Sequence, residues 1–242
     1  MQNTDTQSTL VLIKPDAMRN SLTGYVLSQL SEFHTGLYFA GAKVVSVSKM
    51  LAEEHYAEHK GKVFFPSLLE YICGKLHYSE AEADRRRVIA LIYQGSDAVA
   101  KIRAICGPTN PHVARDTKPG CIRALGTVVP LKDEAGNSIG DRMDNLIHAS
   151  ANTADAEREI KLWFKPNDVQ PAMRQYATKT AEDLYYYNNG KLTQKWEKGS
   201  TCLVAAGDTV WASDLAALEA IIAGKTPTTP LESIAAKYMI NE

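Results

Sequence analysis

The chain has 242 residues, 45% hydrophobic and 23% charged, the composition of a folded globular protein with room for one large domain and an appendage. A formal net charge of −1 excludes a global field that would gather nucleic acid or an anionic membrane, so any phosphate site has to be built locally. Cys73, Cys106, Cys121 and Cys202 stand apart with no C-x-x-C pair, which argues against a zinc ribbon or a disulfide scaffold; Met1 to Ser8 lacks the layout of a signal peptide and no apolar run is long enough for a bilayer, so the expected setting is a reducing cytoplasm.

Leu10-Val11-Leu12-Ile13 is fully apolar and predicts a buried strand, ended near Lys14 because Pro15 cannot donate to a ladder. Tyr25, Val26, Leu30 and Phe33 recur at helical spacing and predict a helix over 24–33. Ala42 to Val47 predicts the next strand. Ala52 to Lys60 predicts a polar helix with Tyr56 turned inward, and Pro66 to Ile72 a more apolar one. Val88 to Tyr93 predicts a buried strand ended at Gly95. Asp97 to Cys106 follows as a helix burying Val99, Ile102 and Ile105. Two prolines and a glycine make 110–122 read as irregular. Asn145 to His148 reads as a short strand or strand end, and Asn152 or Thr153 caps a helix running to Phe164 with Asp155 in its first turn.

That order predicts an α+β, ferredoxin-like fold, a mostly antiparallel sheet with helices covering one face. The texture changes after Lys165-Pro166, which divides the chain into a domain over 1–166 and a small α+β extension over 167–242. In the extension, Leu184 to Trp196 reads as a hairpin turned by Asn188-Asn189-Gly190. Ser213 to Ala223 reads as an amphipathic helix burying Leu215, Leu218 and Ile222 and stopped by Gly224. Thr229-Pro230-Leu231-Glu232 reads as a capping box with proline at the first helical position of a last helix.

Phosphoryl transfer needs charge neutralisation, an in-line nucleophile and a metal to spread charge. No G-x-x-x-x-G-K-[S/T] loop and no Gly-rich kinase loop is present, which disfavours an ordinary ATPase or protein kinase. His148, at the end of Asn145-Leu146-Ile147-His148, is the candidate nucleophile. Glu159 on the following helix is placed to hold its ring, and Ser150 to orient Glu159 or to donate to the transferred group. Alone, such a histidine is more often structural. Lys14, aimed from a strand end, and Arg103 and Arg123 are candidate phosphate cations, joined by Thr109. Two other patterns read as surface: His55 and His59 at i and i+4, a solvated helix face rather than a zinc site, and Asp84-Arg85-Arg86-Arg87, a mixed-charge surface rather than a nucleic-acid patch.

The pieces Leu12-Ile13-Lys14-Pro15-Asp16, Tyr56, Phe64-Phe65, Arg103, Gly107 to Pro111, Lys118 to Arg123, Asn145 to Ser150 and Glu157 to Phe164 stand in one order over roughly residues 8–166, and together the chain resembles the nucleoside diphosphate kinase family. The resemblance implies ping-pong transfer of a γ-phosphate from a nucleoside triphosphate to a nucleoside diphosphate through phosphorylated His148. It implies Lys14, Tyr56, Arg103, Thr109 and Arg123 around the phosphates and His148, and Asn145 on the ribose with Lys14 reaching the sugar hydroxyl. Phe64 becomes the face on which the base stacks, and Ser150 and Glu159 the supports of His148. Mg²⁺ is expected to arrive on the nucleotide phosphates, with no protein metal ligands. The partners implied are nucleoside di- and triphosphates and further copies of the chain, in a homo-oligomer built on a dimer that uses the sheet and a neighbouring helix. No membrane or nucleic-acid partner is indicated. The alternative is a nucleotide-binding regulatory module with little turnover.

The chain departs from the family pattern in three ways. Ala149 stands where glycine usually follows the histidine, and Ala151 where an acidic residue usually stands. Extra residues lie near 76–86, near 113–117 and over Pro130 to Arg142, the last expected to be an inserted turn or hairpin falling where the family supplies an apolar residue opposite the stacking aromatic. The third departure leaves the second base contact unassigned. The extension adds length that bears on the assembly.

Overall fold

The computed structural model describes residues 6–239; the polar start of the chain read above therefore lies mostly outside the described residues. In chain order the first half carries β1 (Thr6–Ile13), α1 (Pro15–Arg19), α2 (Thr23–Gln29), α3 (Glu32–Thr35), β2 (Tyr38–Val45), α4 (Lys49–His55), α5 (Phe65–Ile72), β3 (Val88–Ser96) and α6 (Ala98–Cys106). Then follow α7 (Pro111–Thr117), β4 (Thr127–Lys132), β5 (Ser138–Asp144), β6 (Ile147–Ala149) and α8 (Thr153–Trp163). The C-terminal part adds β7 (Thr178–Thr180), β8 (Tyr185–Asn188), β9 (Lys191–Thr193), β10 (Thr201–Val204), β11 (Thr209–Trp211), α9 (Ala212–Ile222) and α10 (Leu231–Ala235).

The main sheet is antiparallel throughout, in the order β2-β3-β1-β6, which is the ferredoxin-like arrangement. Both of its faces are covered, where the sequence reading expected one. Leu10 and Leu12 of β1 join Ala90 and Ile92 of β3 in a core with α4 and α8, while Val11 and Ile13 join Leu91 and Tyr93 in a second core with α1, α2 and α6. Strand alternation sends neighbouring side chains to opposite faces, so a strand apolar at every position has to be buried twice; the unbroken run Leu10 to Ile13 carried that information.

Four elements differ from the sequence reading. The helix over 24–33 is two helices: the Ser31 hydroxyl accepts from the His34 N–H and starts α3, and Phe33 is left fully exposed. The helix over 52–60 begins earlier, at a Ser48 cap, and is α helical only to His55, with a 3₁₀ turn over Ala57–His59. The irregular stretch 110–122 contains α7, with Asn110 as cap and Pro111 at the first helical position, so proline there starts a helix rather than preventing one. In the extension Pro230 itself occupies the cap position of α10 and Thr229 makes no cap bond. Asn152 is the cap of α8, accepting from the Asp155 N–H.

The inserted stretch is a hairpin, β4 paired antiparallel to β5. In the C-terminal part, Asn189 and Gly190 turn β8 into β9 with positive φ, as the Asn-Gly pair predicts. This part has its own core, with Tyr185, Leu203, Leu215, Leu218 and Ile234, but Ile222 is 40% exposed rather than buried. It docks on the first part firmly: Ala236 enters the core beside Leu51, the Trp211 indole N–H donates to the Phe164 carbonyl at 2.7 Å, and Lys165 Nζ lies 4.0 Å from the Tyr238 ring. The Lys237 ammonium and Asp214 form a fully buried ion pair at 2.5 Å.

Candidate active site

One cleft of about 390 Å³ gathers Lys14, Tyr56, Phe64, Arg103, Thr109, Arg123, Asn145, His148 and Glu159. Ser150 lies directly behind Glu159. These residues come from elements spread along the chain, and the sheet is what collects them: β1 and β6 are hydrogen-bonded neighbours, with Leu12 opposite His148, so Lys14 at the end of one strand meets His148 on the other.

His148 Nε2 lies 3.0 Å from Glu159 Oε2, and the Ser150 hydroxyl donates to the same oxygen at 2.7 Å while accepting from the Leu10 N–H at 3.0 Å. Burial pushes the Glu159 carboxyl up, but the adjacent His148 and the bonds from His148 and Ser150 outweigh it and bring the pKa down to about 2. An ionised carboxylate can only accept, so the imidazole carries its proton on Nε2, and Nδ1 keeps its lone pair with no protein partner. Ala149 is not in the left-handed region, so its methyl group in place of glycine introduces no backbone strain.

The backbone just before His148 is strained and pinned. Leu146 has φ of 69°, a conformation that non-glycine residues avoid. Its N–H donates to Asp16 Oδ2 at 2.9 Å and its carbonyl accepts from the Lys14 N–H at 2.9 Å. Asp16 is buried, and burial raises its pKa against the lowering influence of Lys14. In the sequence Asp16 closes the Leu12 to Asp16 motif with no spacing that marks this role.

Lys14 donates to Asn145 Oδ1 at 2.7 Å, and Asn145 Nδ2 donates to the Thr109 carbonyl at 2.8 Å, so strand end, loop and β6 approach are fixed together. Burial lowers the Lys14 pKa to about 8, with Asp16 opposing and Arg123 adding to the effect. Arg123 sits on a 3₁₀ turn and spends three N–H groups on carbonyls: Nη1 on Gly107 at 2.9 Å, Nε and Nη2 on Ile147 at 3.3 and 3.2 Å. That approach requires Gly107, whose φ is +81° and where a Cβ would lie 2.2 Å from the Cys121 sulfur. Arg103 projects from α6, exposed. The Tyr56 hydroxyl is buried without a hydrogen-bond partner, and its pKa is raised, mainly by burial. Phe64 lines the same cleft, its ring tilted against His59 at 5.6 Å between centroids.

His55 is buried, not part of a solvated helix face as the i, i+4 spacing suggested. Its ring packs edge-on against His148 at 4.5 Å and against Trp163 at 5.4 Å. The Trp163 indole, which can only donate, bonds His55 Nδ1 at 3.2 Å and thereby fixes the His55 proton on Nε2. His55, His148 and Glu159 are close enough together to consider as a metal site. A cation there would have to displace the Nε2 protons of both rings and would leave the Trp163 N–H facing an N–H, so the donor set does not suit a resident metal. Burial and the neighbouring His148 hold the His55 pKa well below its usual value. In the arginine run Arg85 pairs with Glu82 and Arg86 with Glu80, as in a mixed-charge surface.

A ferredoxin-like sheet whose cation-lined cleft holds a histidine with no protein partner at Nδ1 defines the class: a phosphotransferase acting on nucleotides. Residues 7–169 match the family model for nucleoside diphosphate kinase. A nucleoside diphosphate kinase of Thermococcus kodakarensis is 31% identical over 203 residues, covering 84% of this chain and 99% of the relative, and that of Pyrococcus furiosus is 37% identical, covering 68% and 87%. Among solved structures, the Borrelia burgdorferi nucleoside-diphosphate kinase with vanadate and ADP superposes with a TM-score of 0.53 at 31% identity, covering 72% of this chain and 95% of that one. The Halobacterium salinarum enzyme in complex with CDP gives 0.52 at 30%, covering 70% and 94%. The chain belongs to the nucleoside diphosphate kinase family, as a long variant with residues 170–242 beyond the family match.

Proposed function

We propose that the cleft carries a ping-pong reaction through phosphorylated His148. The observation that supports this most is the free Nδ1 lone pair of His148, presented beside three cations while Glu159 and Ser150 hold the opposite side of the ring. In the first half-reaction Nδ1 attacks the γ-phosphorus in line, the bond to the bridging oxygen breaks, and its electron pair leaves with the nucleoside diphosphate. The phosphoryl group makes the ring cationic, and the Glu159 carboxylate at Nε2 balances that charge. A second nucleoside diphosphate then takes the group by the reverse path.

Lys14, Arg103 and Arg123 bind phosphate oxygens, the unpartnered Tyr56 hydroxyl and Thr109 complete that shell, Asn145 and Lys14 meet the ribose, and Phe64 stacks the base. Mg²⁺ would enter on the nucleotide phosphates, where it keeps most of its waters and spreads the charge that Lys14, Arg103 and Arg123 also neutralise. Initial rates measured against ATP at several fixed dTDP concentrations give parallel double-reciprocal lines if the enzyme shuttles the group through His148; intersecting lines contradict that route.

We read the division of the chain as 1–166 for this domain and 167–242 for a folded extension. Self-association through the edge strand β2 is supported by its exposed Tyr38 and Val44 and the exposed Phe33 just before it. Among the described residues no helix is long and apolar enough to cross a membrane, and all four cysteines are free thiols, which supports a cytoplasmic setting.

A further inference from the structure

The inserted hairpin reaches the cleft that Phe64 lines. Strand β5 brings Asp141, Arg142 and Met143 into the lining shared with Phe64 and Leu68. The Arg142 guanidinium is clamped in its own plane. Nε donates to Asp144 Oδ1 at 2.7 Å and Nη2 to Asp144 Oδ2 at 3.1 Å, a bidentate pair, while Nη1 donates to the Ser67 hydroxyl at 3.2 Å. Asp144 is buried and held in turn by His77 Nε2 at 3.0 Å. His77 belongs to the other extra stretch, near 76–86, so the two additions brace each other through this one side chain.

Ser67 lies next to Leu68 and three residues after Phe64, the cap residue of α5, so its bond ties the guanidinium to the start of the helix that Phe64 opens. A guanidinium with its edges engaged by protein keeps its flat faces for a ligand.

We infer that Arg142 is the second wall of the base slot, a rigid cationic plate that stacks on the face of the base turned away from Phe64, and that it makes the slot favour purines over pyrimidines. The inference rests on the reading of the cleft as a nucleotide site. An aromatic wall alone accepts any base, because every base presents a π face. A fixed cation adds attraction that grows with the extent and electron density of the ring system, which is larger for a purine. Held in place by Asp144 and Ser67, the plate forfeits little side-chain freedom on binding.

The test is a titration of the full chain with ADP, GDP, CDP and UDP in the presence of Mg²⁺, for wild type, R142L and R142K, with kcat measured at saturation and the thermal midpoint recorded. Wild type is expected to bind the two purine nucleotides ~3- to 10-fold more tightly than the pyrimidines. R142L, which keeps apolar contact and loses the charged plate, should bring that ratio close to one. R142K should fall in between, because an ammonium is not planar. If R142L does not fold, R142Q is read in the same way. A wild type without purine preference overturns the inference, and so does a variant that weakens all four nucleotides alike, which is the signature of a bracing role only. Binding ratios do not depend on turnover. A purine preference without phosphoryl transfer therefore counts against the kinase reading and not against Arg142.

Discussion

Lys14 is a buried ammonium whose charge the free protein holds weakly, at a pKa of about 8, and whose work requires that charge. Nucleotide phosphates beside it should restore the proton, so binding takes up protons near and above pH 8, and the affinity for nucleoside diphosphates should fall as pH rises through that range. K14R, which stays charged, should flatten the profile; an unchanged profile would show that Lys14 is not the group responsible. The stability consequence has a definite sign. A lysine with a folded pKa lowered from 10.5 to about 8 costs stability at neutral pH, and that cost is relieved between pH 8 and 10.5. Glu159 acts at the other end: its carboxyl is lowered from 4.5 to about 2, so it contributes stability above pH 4.5 that is lost as pH falls toward 2. E159Q removes the carboxylate charge beside His148 Nε2 and should reduce kcat on the order of 10²–10⁴-fold with little change in nucleotide binding, checked by single-turnover kinetics. Most of these residues were legible in the sequence because each is a chemically distinctive type at a motif position. His55 and Asp16 were not assigned. Their roles depend on a packed ring and a bond to a backbone N–H across the sheet, and neither leaves a spacing that can be read along the chain.

Element by element, the long apolar strands were legible, since burial on both faces removes the alternation that would otherwise mark a strand. Boundaries were less so: whether Ser31 or Ser48 starts a helix depends on a hydroxyl finding an N–H, and a proline reads equally as a break or as the first residue of α7. The extension was legible as folded, through its Asn-Gly turn and its amphipathic helix, but its attachment was not. Trp211 is 1% exposed and donates to the Phe164 carbonyl immediately after α8, the helix that carries Glu159. W211A should therefore cost ~3–5 kcal/mol of stability, measured by denaturant unfolding, while the remaining folded protein keeps its kcat. Cutting the chain after about residue 175 should expose the apolar surface that Ala236 and Trp211 cover and lower solubility; a truncated protein as stable as the full chain would show the docking to be incidental.

At the scale of the molecule, α4 and α8 meet both the active-site cleft and the docked extension. The α4 helix ends at His55, beside His148, and takes a hydrogen bond from Ser233 of α10 at Glu54. Among the described residues, the inserted hairpin adds to the lining of the cleft, while the extension packs on the elements that carry it. The extension therefore supports an ordinary transfer reaction without supplying any group to it. The exposed edge strand β2 is the surface expected to pair two copies, and V44E should shift the protein to monomer by light scattering, with the cleft intact. The claim on which the rest depends is that His148 carries the phosphoryl group between substrates. Incubation of wild type and H148A with γ-labelled ATP and Mg²⁺ tests it directly. The account predicts an acid-labile label on wild type alone, released on adding GDP and recovered as labelled GTP. Absence of label on wild type while nucleotide binding persists, or equal labelling of H148A, would contradict it.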